Sequence, residues 1–144
     1  MTTIATAHAS STAAPAAFFD RWADMATWPE WNLDTDWVKF EGPFAAGSTG
    51  TLKPKGGPVV PFVIERLIPN SEFVDVSKLF GARLTFAHLV RERPGGGCDV
   101  DVVVSLTGPL GWFWKALLGK GLATSGQPDL DRLVAVAERV SGSV

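Results

Sequence analysis

Over residues 36–107 the hydrophobic period is two, segment after segment, before a helical period takes over toward the C-terminus. Alternation sends successive side chains to opposite faces, so such segments fold as strands with one face buried. They span 36–41, 47–55, 59–68, 72–80, 82–93 and 98–107, and Gly42-Pro43, Gly56-Gly57-Pro58, Pro69-Asn70-Ser71 and Pro94-Gly95-Gly96-Gly97 punctuate them. Each of these separators is turn chemistry. In the last segment Val100, Val102, Val104 and Leu106 share one face, against Asp99, Asp101, Val103 and Ser105 on the other. A meandering sheet follows, with the Gly/Thr/Lys-rich segment 47–55 expected at an exposed edge.

Residues 2–10 are rich in Thr and Ala and predict a first strand. Ser11 or Thr12 then stands where a helix cap is needed, with Pro15 suited to the first turn. Phe18, Phe19, Trp22, Ala23 and Met25 keep close to helical spacing, and Thr27 is placed to cap a second short helix over Trp28-Pro29-Glu30-Trp31-Asn32. After Gly108, the residues Leu110, Phe113, Trp114, Leu117 and Leu118 form an apolar side. Gly119, Gly121 and Gly126-Gln127-Pro128 predict a break or kink. Leu130, Leu133, Val134, Ala137 and Val140 then face inward, with Arg132, Glu138 and Arg139 outward. One strand, two short helices, six strands and a long terminal helix make an α+β pattern, and 144 residues suit a single domain over 1–144.

A net charge of −2 with singly scattered Lys and Arg excludes a nucleic-acid-binding surface. The single Cys98 excludes a disulfide framework, and His8, His88 and Cys98 have no metal-ligand spacing, so neither a metal nor another cofactor is expected. The first 17 residues lack Lys, Arg and a continuous apolar stretch, and no run approaches the roughly 18 apolar residues of a membrane span. A cytoplasmic protein without integral membrane association is expected; its oligomeric state is left open. Six Trp and nine Phe with no Tyr imply either a bulky core or a cavity walled by rings.

Certain segments carry a family likeness: Trp28-Pro29-Glu30-Trp31-Asn32 after the first helix, Gly42-Pro43-Phe44-Ala45-Ala46-Gly47, Thr51-Leu52-Lys53-Pro54-Lys55-Gly56-Gly57, and Ser105-Leu106-Thr107-Gly108-Pro109-Leu110. With the element order, they resemble the SRPBCC (START/Bet v1-like) superfamily, in particular its bacterial polyketide cyclase/dehydrase-like branch. The resemblance spans nearly the whole chain. It implies a helix-grip fold, in which a seven-stranded antiparallel sheet curls around the C-terminal helix and encloses a cavity. The family binds lipids, aromatic polyketides, hormones and other apolar molecules; only some members are enzymes, and no catalytic motif runs across it. Fold likeness by itself does not assign function.

Two polar residues stand out in the fifth and sixth strands. A type II′ turn with Gly81 at its first central position would pair Leu79 with Leu84, Ser77 with Phe86, Asp75 with His88 and Phe73 with Val90. That face is otherwise apolar and should point inward, so Asp75 would orient His88 as an acid/base or ligand contact. If the turn sits at Phe80-Gly81 instead, His88 faces Phe73 and loses this partner. Extending the register sets Arg66 opposite Asp75, unless a bulge near Arg66 turns Leu67 inward.

Three functions fit. The first is binding of an apolar or aromatic small molecule, lipid- or polyketide-like, by a wall of Phe40, Phe62, Leu84, Phe86, Val102, Val104, Phe113 and Leu117, with Trp28 and Trp31 at the rim or in the core. The second is an aromatase/cyclase with His88 and Asp75 as catalytic pair, and the third a protein-interaction domain with a filled cavity. Trp112-Phe113-Trp114-Lys115 reads either as part of the gripped helix or as an anchor at a lipid surface.

Overall fold

Alternation delivers the expected strands: β1 (Thr2–Ser11), β2 (Thr35–Phe40), β3 (Thr49–Pro54), β4 (Val60–Ile68), β5 (Glu72–Leu79), β6 (Ala82–Glu92) and β7 (Cys98–Thr107). The computed structural model describes the backbone of residues 2–142 and the side chains of residues 2–139. All seven strands form one antiparallel sheet in the order β1-β7-β6-β5-β4-β3-β2. Helix α1 (Pro15–Ala23) and a 3-10 segment (Met25–Glu30) fill the connection from β1 to β2, and helix α2 (Gly111–Gly142) closes the chain. This is the helix-grip architecture.

The caps differ from expectation. Ala14 occupies the N-cap of α1 with no side-chain hydrogen bond, Pro15 beginning the helix. The Ser11 hydroxyl instead accepts from Ala13 N at 3.0 Å and donates to Glu138 Oε2 at 2.7 Å, tying the start of α1 to α2. Thr27 turns its hydroxyl back to Asp24 O at 2.7 Å.

Segment 47–55 is a further correction, because β3 lies between β2 and β4 while β1 and β2 form the edges. Its glycine marks a close approach: a Cβ on Gly50 would lie 2.6 Å from Phe62 Cζ, whose ring stacks on Phe40 at 6.2 Å. The expected break in the last helix is also absent, for α2 continues through Pro128. Here a tertiary contact outweighs the local breaker. Gln127 accepts from His8 N at 3.0 Å and donates through Nε2 to His8 O at 2.8 Å, clamping the helix to the edge strand β1. Val140 lies outside the described side chains.

The core divides in two. The larger cluster gathers Phe18, Phe19, Trp22, Trp28 and Trp31 from the β1–β2 connection, Ile64 and Phe73 from the sheet, and Leu130, Leu133 and Ala137 from the second half of α2. The smaller holds Ala5, Ala82, Leu84, Val104 and Leu106, with Trp114 and Leu122 of the first half of α2 packed against it. Cys98 is fully buried, and its thiol points to Ala13 O at 3.4 Å.

Gly97, at φ +78°, closes the β6–β7 hairpin against the end of β1. A Cβ there would stand 2.2 Å from Ser11 O. Gly97→Ala is therefore expected to cost about 1–3 kcal/mol in urea unfolding, through strain at positive φ and displacement of β1. A loss below ~0.5 kcal/mol would contradict the close approach.

Candidate functional site

The turn between β5 and β6 decides where the polar pair stands. Gly81 occupies its second central position at φ +69°, so Leu79 pairs with Ala82, Asp75 with Phe86 and Phe73 with His88. Direct pairing of Asp75 with His88 is thus corrected to the other register. Both side chains still belong to the inner face, as diagonal neighbours, and no hydrogen bond joins them. Arg66 is corrected as well. A bulge between Ile64 and Arg66 sets Ile64 opposite Asp75, turns Leu67 to pair with Phe73, and leaves Arg66 on the outer face beside Val74. There the Arg66 guanidinium meets Glu72 Oε2 at 3.1 Å.

One inner row accordingly reads Ile64-Asp75-Phe86-Val104-Ala5, and the next Leu67-Phe73-His88-Val102-Ala7. Asp75 is only 6% exposed and has no hydrogen-bond partner among the described residues. Burial pushes its carboxyl up to about 8, so it carries its proton at neutral pH. His88 is half-buried between rings, stacked on Phe73 with centroids 4.8 Å apart and lying 4.9 Å from Trp22. Burial lowers its pKa to about 4, against the opposing pull of its hydrogen bond to the Phe73 carbonyl. The imidazole is therefore neutral, Nδ1 donates to Phe73 O at 2.9 Å, and Nε2 is left as an acceptor.

The buried side-chain nitrogens and oxygens that are sealed from water and unpartnered are, among the described residues, Trp22 Nε1 and Trp31 Nε1. The Asp75 oxygens and His88 Nε2 also lack partners among the described residues but are not sealed from water. Phe40, Leu52, Phe86, His88 and Val102, all on the concave side, likewise remain only half-buried. The reason lies in α2, which packs along β1, β7, β6 and α1. Helix α2 thus covers the β1, β7 and β6 part of the concave face and leaves Phe40 and Leu52 partly exposed. Two grooves, of ≈ 450 and ≈ 440 Å3, lie elsewhere on the molecule, and neither includes Asp75 or His88.

The other expected site residues separate into groups. Phe40, Phe62, Leu84, Phe86, Val102 and Val104 are on the concave face. Trp28 and Trp31, each 7% exposed, belong to the core rather than a rim, and Trp28 Nε1 donates to Trp22 O at 3.1 Å. Phe113 (44% exposed) and Leu117 (62%) turn outward, a correction to their placing on the inner wall. Trp114, Leu118 and Leu122 take the more covered side of that half-helix.

Ser77, 9% exposed and inward beside Asp75 as the strand pattern places it, is a further polar residue of this face that was not named among the site residues. Trp22, against His88, was legible only as a buried helical position. A second polar group, His8 Nδ1 to Asp101 Oδ1 at 2.7 Å with Arg91 on the other Asp101 oxygen at 3.1 Å, sits on the outer face.

No family model matches the sequence, and no curated protein matches it either. Solved structures match the fold. The Zhui aromatase/cyclase from Streptomyces sp. R1128 superposes with a TM-score of 0.76 at 11% identity, over 96% of this chain and 97% of that one. The di-domain ARO/CYC StfQ from the steffimycin biosynthetic pathway gives 0.74 at 13% identity, over 95% of this chain and 51% of that one. Ara h 8.0201 gives 0.68 at 14% identity, over 92% and 95%. At these identities the likeness is one of fold.

Proposed function

We propose that the concave face binds a flat apolar molecule bearing a hydroxyl or carbonyl oxygen, with Asp75 as the group that orients it. The observation that carries this reading is a carboxyl at 6% exposure with no partner among the described residues. Leaving such a group unpaired costs about 1–3 kcal/mol, which a ligand oxygen would offset on binding. Protonated Asp75 donates to a carbonyl or hydroxyl, and His88 Nε2 accepts from a hydroxyl. Phe40, Phe86 and Val102, half-buried on the concave face, supply the apolar area a ligand can cover at ~25 cal/mol per Å2, with the buried Phe62, Leu84 and Val104 behind them. The fold shared with aromatase/cyclases supports a ligand of this class. Calorimetric titration with 1-naphthol tests it: saturable binding is expected, about tenfold weaker in Asp75→Leu, where a hydrogen bond to a buried group is lost. Equal affinity in the two proteins, or no binding at all, would overturn the reading.

One observation favours a second reading, cyclase-type proton transfer. A carboxyl held at about 8 is matched to acid/base work near neutral pH, whereas an imidazole held at about 4 is a weak base. The proton carrier would then be Asp75 and not His88. Asp75→Asn keeps the shape but removes the transferable proton. In this reading it abolishes turnover of a poly-β-ketone chain while 1-naphthol still binds; unchanged turnover would exclude it.

A further inference from the structure

The concave site leaves one conspicuous surface unused, at the end of the sheet where the β5–β6 turn meets the entry to α2. Four large apolar side chains protrude there or along the adjoining half-helix: Phe80 at 83% exposure, Trp112 at 71%, Leu117 at 62% and Phe113 at 44%. The surface is built and not merely loose, because Trp114 Nε1 donates to Phe80 O at 2.7 Å and Leu110 N to Gly81 O at 2.9 Å. Those two bonds fix the turn bearing Phe80 against the first turn of α2. On the helix, Phe113, Leu117 and Lys120 follow i, i+4, i+7 spacing and share one exposed face.

The charge there has one sign. Residues 76–90 and 102–128 contain no Asp or Glu, and their cations are Lys78, Arg83, Lys115 and Lys120, all exposed and in no ion pair among the described residues. The chain as a whole carries −2, so these cations are segregated, not a sample of the average surface. Carboxylates that begin β2 at this same end, Asp34 and Asp36, lie three strands from β5, and Asp36 is held by Lys53 Nζ at 2.9 Å. Between Phe80 and the α2 entry runs the ≈ 450 Å3 groove, lined by Lys78, Arg83, Thr107 and Gly108 among others.

We propose that this end of the molecule docks on an anionic lipid surface, with Phe80 and Trp112 inserted at the interface and Lys78, Arg83, Lys115 and Lys120 against the headgroup phosphates. Rings that project from a turn tip and a helix start suit a fluid apolar layer, which closes around any protrusion. A folded protein partner would need a matching recess for each ring. Lys and Arg beside exposed Trp and Phe is the composition that sits at a membrane–water boundary, and cations there add attraction to anionic lipid. Among the described residues no helix is long and apolar enough to cross a membrane, which makes the contact peripheral. The inference is independent of what the concave face binds.

Co-sedimentation with vesicles tests it. The protein should pellet with an equal mixture of phosphatidylcholine and phosphatidylglycerol, and bind pure phosphatidylcholine at least about tenfold more weakly. Added salt should release it. The double variant Phe80→Ala/Trp112→Ala should bind the mixed vesicles at least about tenfold more weakly, and so should Lys78→Gln/Arg83→Gln/Lys115→Gln. All these side chains are exposed, so unchanged circular dichroism is expected to accompany the loss. No pelleting with the mixed vesicles overturns the proposal, whether or not an acidic protein binds the same patch. Undiminished binding by the Phe80→Ala/Trp112→Ala variant overturns it too.

Discussion

Raising the pH from 6.5 to 8 is expected to remove about 1 kcal/mol of stability, and Asp75→Asn to abolish that loss. The sign follows from proton counts. Between 3.8 and about 8 the folded protein keeps a proton on Asp75 that the unfolded chain has released, so stability falls as pH rises through this window. His88 works the other way. Between about 4 and 6.5 the unfolded chain holds a proton on His88 that the folded protein refuses, so stability rises with pH there. The two slopes oppose each other up to 6.5; above it the His88 contribution fades within about one pH unit and Asp75 dominates. Urea unfolding across this range should therefore give a near-flat wild-type profile up to 6.5 and a decline beyond. Asp75→Asn should instead climb from 4 to 6.5 and then level off. At pH 8, Asp75→Leu should exceed the wild type by about 1–3 kcal/mol, because it deletes an unpaired buried polar group. A wild-type profile that rises between 6.5 and 8 would refute the assignment.

Trp22→Ala carries the largest destabilisation, about 3–5 kcal/mol. The ring is 1% exposed and packs on Phe18 at 6.1 Å, Phe19 at 5.1 Å, Phe73 at 5.7 Å and His88 at 4.9 Å, joining α1 to the sheet. Removing it leaves a void among aromatic side chains that cannot collapse without moving the helix. Water admitted beside His88 should also raise that imidazole toward 6.5, visible in its NMR titration. Trp22→Phe should cost far less, since it retains a ring and deletes the sealed, unpartnered Nε1. Denaturant midpoints decide the point; a Trp22→Ala loss under ~1 kcal/mol would mean that α1 is not anchored through this residue.

The strands and their faces were legible because alternation is a local signal, and β7 runs over 98–107 as read. Registers were less so. Gly81 suits either central position of a two-residue turn, and the choice is made by Leu110, 29 residues away, whose N–H binds Gly81 O and whose side chain covers the glycine. The bulge that ejects Arg66 has a similar origin: Ile64 N donates to Ser48 O and Ile64 O accepts from Gly47 N, contacts no window of β4 contains. Phe113 and Leu117 were read inward on apolarity alone, yet the covered side of that half-helix is taken by Trp114, Leu118 and Leu122. Asp75, His88 and the aromatic residues of the sheet keep the inward placement read for them. The pairing, the guanidinium and the helix's share of the wall do not hold.

The side-chain carboxyl carbon of Asp75 can be followed by NMR from pH 3 to 10, with and without 1-naphthol. The account predicts a midpoint near 8 that moves when naphthol is present. A midpoint in the ordinary carboxylate range, near 4 and indifferent to naphthol, would contradict it.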